Sequence, residues 1–175
     1  MYSEEKNKRT LVQSLNGHLV ATRKANLKEI FSSFEYGEFR VHLCRSIRQV
    51  DFFDDSQAVN SDSVWYALEK IKRPVTWIMN ISHLDDIEDA LAISVAAKVK
   101  RIVVQGVYNA EVIDFFSGIG MSISFAVTME DAVRVAFYAS DPGDAVLYSP
   151  GALSRGIVTS VAERSSKFRN AIAQL

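Results

Sequence analysis

The stretch VDFFDDSQAVNSDSVWYALEKIK, Val50–Lys72, decides the fold class. VDFFD (50–54) is a short run of strand formers that stops at two carboxylates, Asp54 and Asp55. A polar turn follows, and the apolar period then changes from two to 3.6. Val64, Leu68 and Ile71 fall on one helical stripe with Trp65 beside it, and Asn60 stands where a side chain can cap that helix. Strand, turn and helix in this order make the first half of a β-α-β unit. What the acidic, hydroxyl-bearing turn between them does is the functional question.

The same alternation continues downstream. Pro74 ends the helix and opens VTWIM (75–79), a continuous apolar strand. A helix is expected from Asp85 or Asp86, carrying Ile87, Leu91, Ile93 and Val95. RIVVQ (101–105), SISFAV (122–127) and AVLYS (145–149) read as further strands. AEVIDFFSG behind Asn109, EDAVRVAFYAS behind Thr128 and a last segment over Ala162–Leu175 read as helices. Nearly unbroken apolar strands need cover on both faces, and right-handed crossovers make them parallel. The fold class is therefore α/β: a Rossmann-like three-layer sandwich with a mostly parallel sheet of about six strands. FRVHLCRSIRQ (39–49) adds an antiparallel edge strand. Residues 39–175 form the main domain. Residues 1–38 differ in character and read as an N-terminal helical extension, with Leu27, Ile30, Phe31 and Phe34 on one side of KANLKEIFSSF. The first ten residues are expected to be disordered.

A chain of 175 residues with 48% hydrophobic and 23% charged residues suits one globular domain. A net charge of −1 supplies no field to recruit nucleic acid or an anionic membrane. No apolar run approaches the ~20 residues that span a bilayer. The polar start MYSEEKNKRT is no secretory signal, and a single cysteine permits no intrachain disulfide. Together these features point to the cytoplasm. Cys44 is expected to be a small core hydrophobe. His18, His42, His83 and one cysteine give no metal-ligand spacing, so no metal site is expected.

In such sheets ligands bind outside the carboxyl ends of the strands. That edge holds Asp54–Ser56, Asn80–His83, Gln105–Tyr108, Thr128 and Ser149–Ser154. A phosphoacceptor receiver would need an aspartate after the third parallel strand and a lysine after the fifth; this chain has Gln105-Gly106 and Ser149-Pro150. No G-x-G-x-x-G follows a strand, no G-x-x-x-x-G-K-[ST] is present, and GIGM (118–121) lies on the wrong edge. G-x-S-x-G is absent, and no histidine follows His83 to complete a hydrolase triad. Ser56, Ser149 and Ser154 are hydroxyls without an evident base, suited to caps and turns. No catalytic residue is assigned.

DDSQAVNSDSVWYALEKI (54–71) resembles the D-S-K-A-T-N motif in the C-terminal domain of the Mur ligases, the ATP-dependent enzymes of peptidoglycan precursor synthesis, and the D-glutamate-adding branch in particular. MEDAVRVAF and PGDAVLYSPGALS resemble that domain's M-E-E-A-V and G-D-x-V-L-L-S-P-x-x-x-S stretches, and AERSSKFRNAI its E-x-R-G-x-x-F helix. EFRVHLCRSIRQVDFFDDS resembles the H-R-L-E linker and the strand after it, with Arg40 fifteen residues before Asp55. The resemblance covers about residues 16–175 and implies the same Rossmann-like sheet. It further implies that Arg40 and Asp55 face a nucleotide, and that Ser56, Gln57, Val59, Asn60, His83, Ser149 and Ser154 stand at a degenerate substrate site.

The departures carry chemistry. Gln57 replaces the motif's lysine and Val59 its threonine, so a cation and a hydroxyl are lost. A glycine-rich segment with a second lysine reads NISHLDD here, and a phenylalanine of the last signature is Val161. Each charged hydrogen bond lost to an anionic amino acid costs roughly 1.5–3 kcal/mol. The resemblance thus implies a scaffold that is non-catalytic alone and binds no cofactor independently. ATP and magnesium would enter only with a partner that supplies a P-loop. The implied role is ligand binding or regulation in cell-wall precursor metabolism. The alternative is an acceptor-presenting subunit of an amide ligase acting in trans. Expected partners are a P-loop ligase or cell-wall enzyme, a small molecule at the strand ends, or a second copy in a homo-oligomer. Neither nucleic acid nor membrane is expected.

Overall fold

The computed structural model describes residues 41–175 except 82, 84–86, 107 and 153–159. The N-terminal extension and its boundary at residues 38/39 lie outside the described residues. Six strands form one sheet: β1 (His42–Ile47), β2 (Val50–Asp54), β3 (Val75–Met79), β4 (Val99–Gln105), β5 (Ser122–Ala126) and β6 (Ala145–Tyr148). Their spatial order is β1-β2-β6-β3-β4-β5. β1 runs antiparallel to β2, and every other neighbouring pair is parallel, as the apolar strands and the edge segment predict.

The described helices are α1 (Ser61–Lys70), α2 (Asp89–Lys98), α3 (Ala110–Gly118), α4 (Met129–Tyr138) and α5 (Val161–Ala173). From β2 through β3 and β4 to β5 the chain advances in one direction across the sheet. Right-handed crossovers therefore place α1, α2 and α3 on one face. The return from β5 to β6 puts α4 on the other face. Packing agrees: Phe116 of α3 meets Trp77 edge-on at 5.9 Å. On the opposite face Phe52, Ile78, Val103 and Tyr148 form one core with Val133 and Phe137 of α4 and Phe168 and Ile172 of α5. All five residues of β3 and all four of β6 are buried, which is why these strands carry no polar alternation.

The β1–β2 connection is a two-residue hairpin. Arg48 and Gln49 both adopt left-handed backbone, φ 49° and 64°, the conformation that matches a two-residue turn to strand twist. Neither is Gly or Asn, so no turn motif announced it. Leu43 pairs with Phe53 and Arg45 with Phe52, which leaves Cys44 as a bulged residue. The bulge lets Cys44 and Ile47, three apart, both turn inward; each is half-buried at the margin of the core. Cys44 thus packs at the core's edge rather than inside it.

α2 departs from expectation. It begins at Asp89, after Glu88 in extended conformation, and not at Asp85 or Asp86, which lie outside the described residues. Glu88 is extended, and its N–H donates to Ser61 Oγ at 3.2 Å. Leu91 and Val95, one turn apart, are buried, whereas Ile93 on the opposite side is 45% exposed. α2 then runs directly into β4, which starts at Val99 rather than Arg101. Among the described residues no helix is long and apolar enough to cross a membrane.

Candidate ligand site at the carboxyl edge of the sheet

β6 lies between β2 and β3, yet the chain leaves β2 and β3 toward one face and leaves β6 toward the other. In open α/β sheets such a reversal is where ligands are commonly bound, outside the carboxyl ends of the strands concerned. The Asp54–Ala58 turn, Asn80–Ile81 and Ser149–Ala152 stand there.

Asp54 is committed to structure. It is 4% exposed. Oδ1 accepts from the Ser56 N–H at 3.0 Å and from the Ser56 hydroxyl. Oδ2 accepts from the Ser165 hydroxyl and from Arg169 Nε at 3.2 Å, both on α5. Burial works against the Asp54 charge, but the hydrogen bonds from Ser165, Ser56 and Arg169 outweigh it and hold the carboxyl below its ordinary range. Arg164 Nε adds a bond to the Ser56 carbonyl at 2.9 Å, so three α5 residues hold the turn.

Asp55 differs from its neighbour. It is 5% exposed, and its Oδ2 accepts from Ser149 Oγ at 2.7 Å across the β2–β6 junction. Burial pushes its carboxyl up to about 7; the adjacent Asp54 charge adds to this, while the Ser149 bond and the nearby Gln57 side chain oppose it. Asp55 therefore changes charge near neutral pH. The Gln57 amide lies close enough to favour the Asp55 anion, yet its buried Nε2 makes no hydrogen bond of good geometry.

The rest of the turn is fixed by backbone. Asp55 N–H donates to the Tyr148 carbonyl at 2.8 Å, Ala58 N–H to the Asp55 carbonyl at 3.0 Å, and Gly151 N–H to the Ala58 carbonyl at 3.0 Å. Gly151 has φ +76°, and a Cβ there would lie 2.8 Å from Ile81 side-chain atoms. Only glycine lets the β6 loop approach so closely.

The remaining expected residues take different places. Asn60 Oδ1 accepts from the Ser63 N–H at 2.9 Å and is the α1 cap, whereas Ser56 caps nothing and instead closes the Asp54 turn. Val59 is exposed. His83 is half-buried in the segment after β3. Ser149 is fully buried, its carbonyl receiving Trp77 Nε1 at 2.8 Å. The structure thus brings Asp55, Ser56, Gln57 and Ser149 to one junction. Arg40 and Ser154 lie outside the described residues. Val161 is 47% exposed in the first turn of α5.

Sequence reading missed the anchoring set. Ser165 and Arg169, four apart on α5, reach back to Asp54, and Phe168 between them stacks on Tyr148 at 5.2 Å. A polar pair at helical spacing around one apolar residue was the available signal. Asn80 also proves structural: its Nδ2 donates to the Gln105 carbonyl at 2.6 Å and to the Gln105 side chain, tying β3 to β4.

No group of three or more His, Cys, Asp or Glu among the described residues is disposed to hold a metal ion. Both Asp54 carboxylate oxygens are taken up by hydrogen bonds, and Asp55 is buried against Ser149.

No protein-family model matches the chain. It is 30% identical over 168 residues to a UDP-N-acetylmuramoylalanine–D-glutamate ligase of Christiangramia forsetii, a match covering 96% of this chain and 38% of that protein. It is 34% identical over 143 residues to the enzyme of the same name from Cytophaga hutchinsonii, covering 82% and 32%. The solved UDP-N-acetylmuramate–alanine ligase of Thermotoga maritima superposes with a TM-score of 0.53 at 14% identity, covering 78% of this chain and 30% of that one. The chain spans about a third of the length of the curated relatives it matches. Likeness along almost the whole chain, together with the shared sheet, makes this protein a Mur ligase C-terminal-like domain.

Proposed function

We propose that this domain does not catalyse ligation by itself and serves as a ligand-binding or regulatory element in peptidoglycan precursor metabolism, taking a small molecule at the crevice outside β2, β6 and β3. The observation that carries this reading is Gln57. It stands where the resemblance places a lysine, and its amide cannot supply the positive charge that an acyl phosphate or amino-acid carboxylate requires. Arg164 Nε donates to the Ser56 carbonyl beside it. The names of the relatives support the metabolic setting. Calorimetry against UDP-muramoyl peptides and magnesium-ATP tests the reading. Saturable binding of a muramoyl peptide with no heat from ATP is expected; tight, magnesium-dependent ATP binding by the chain alone overturns it.

Asp55 favours a second reading, since the residue that the resemblance turns toward a nucleotide is retained. In that reading the domain presents an acceptor to a separate P-loop protein acting in trans. Partner-dependent phosphate release that falls on Asp55→Ala supports it, and unchanged release removes its basis.

A further inference from the structure

β5 ends the sheet. It pairs with β4 on one side and, among the described residues, with no strand on the other. The Gly106 N–H donates to the Ala126 carbonyl at 2.9 Å, so the backbone groups of Ala126 turn toward β4. By the two-residue period of a strand, those of Ser124 and Ser122 do the same, and the N–H and C=O of Ile123 and Phe125 point outward.

Exposed edges are ordinarily guarded by charge, proline or a bulge. The opposite edge, β1, has the Cys44 bulge and the exposed His42 and Arg45. β5 reads Ser-Ile-Ser-Phe-Ala and has none of these. Phe125 is 41% exposed and meets Tyr108, itself 62% exposed, edge-on at 6.0 Å. Val127, just beyond, is 70% exposed. Exposed apolar side chains therefore gather beside backbone hydrogen-bonding groups that have no strand partner among the described residues.

We propose that β5 is a self-pairing edge, on which a second copy of this chain adds its own β5 antiparallel about Ser124. The occupant must be an extended backbone, because the outward groups are amide donors and acceptors at strand spacing. A second copy fits because the outward set is symmetric about Ser124. Ile123 lies opposite the partner's Phe125 and exchanges both N–H···O bonds with it, and the reciprocal pair does the same. Ser124 then faces its own counterpart as a non-hydrogen-bonded pair. Each Ile123 packs beside an aromatic ring, a favourable cross-strand combination, and no charge on the strand meets a like charge. One five-residue edge is a small interface, so the dimer belongs to the weak, concentration-dependent class.

Sedimentation of the full chain over a wide concentration series, in reducing buffer, tests this. The expected result is a shift from monomer to dimer mass that Phe125→Lys abolishes without lowering the melting temperature. In a Cys44→Ser background, Ser124→Cys is expected to give a disulfide-linked dimer on oxidation, since non-hydrogen-bonded pairs sit with Cα atoms about 4.5 Å apart. Leu43→Cys on the guarded β1 edge should give none. A monomer at every concentration overturns the proposal. So does a dimer that survives Phe125→Lys and yields no cross-link through Ser124→Cys.

Discussion

Asp55 Oδ2 and Ser149 Oγ are joined at 2.7 Å, and this bond closes the carboxyl end of the β2–β6 pair. On its other side Asp55 adjoins Asp54, whose two oxygens are saturated by Ser56, Ser165 and Arg169. Two neighbouring carboxyls therefore carry opposite tendencies. Asp54 is held as an anion by hydrogen-bond donors, and Asp55 is biased toward its proton by burial beside that anion.

This makes stability pH-dependent with a definite sign. The folded Asp55 carboxyl titrates near 7, above its ordinary 3.8, so the folded state holds the proton more tightly. The resulting stabilisation is present below the unfolded value and is lost as pH rises from about 4 to about 7. Asp55→Asn should raise stability at pH 8 relative to the parent by on the order of 3 kcal/mol, with little gain at acid pH. Urea unfolding at both pH values checks this; equal effects at the two pH values would contradict it.

The clamp on Asp54 predicts an ordering of costs. Ser165→Ala removes a hydroxyl bond to a buried anion and should cost about 1.5–3 kcal/mol. Arg169 is 56% exposed at its side chain, so Arg169→Ala should cost less than about 1 kcal/mol. Denaturant midpoints with unchanged slopes measure both, and the reverse order would show that Asp54 is held by charge rather than by the hydroxyl.

Gly151→Ala should be among the more damaging small changes. The added Cβ meets Ile81 at 2.8 Å and Val64 at 3.2 Å, in a left-handed backbone. Both neighbours are buried and cannot swing away. Strain and overpacking together predict a loss of about 2–4 kcal/mol, read as a lower melting temperature.

Asn60→Ala removes the α1 cap and should cost about 1 kcal/mol, whereas Asn60→Asp or Asn60→Ser should be tolerated. Thermal melts of the three variants decide whether Asn60 is a cap.

Most of the fold was legible because its signals are local. The almost wholly apolar VTWIM and the Asn60, Asn109 and Thr128 caps are read within a few residues. The Arg48-Gln49 hairpin was not, because its left-handed turn uses residues that take that conformation only under tertiary constraint. The start of α2 at Asp89 was not legible either; the residue before it, Glu88, bonds to the Ser61 hydroxyl 27 positions away. At the site, the acidic turn stood out in sequence, but the division of labour between Asp54 and Asp55 did not. It is set by Ser165, 111 residues from Asp54, and by Ser149, 94 from Asp55.

The central claim is electrostatic: with Gln57 and Val59 in the turn, the crevice has lost its grip on an amino-acid carboxylate. Titration calorimetry of D-glutamate into the parent chain and into Gln57→Lys/Val59→Thr tests it directly. The account predicts no saturable heat for the parent and measurable binding by the double variant. Saturable D-glutamate binding by the parent, abolished by Gln57→Ala, would contradict it.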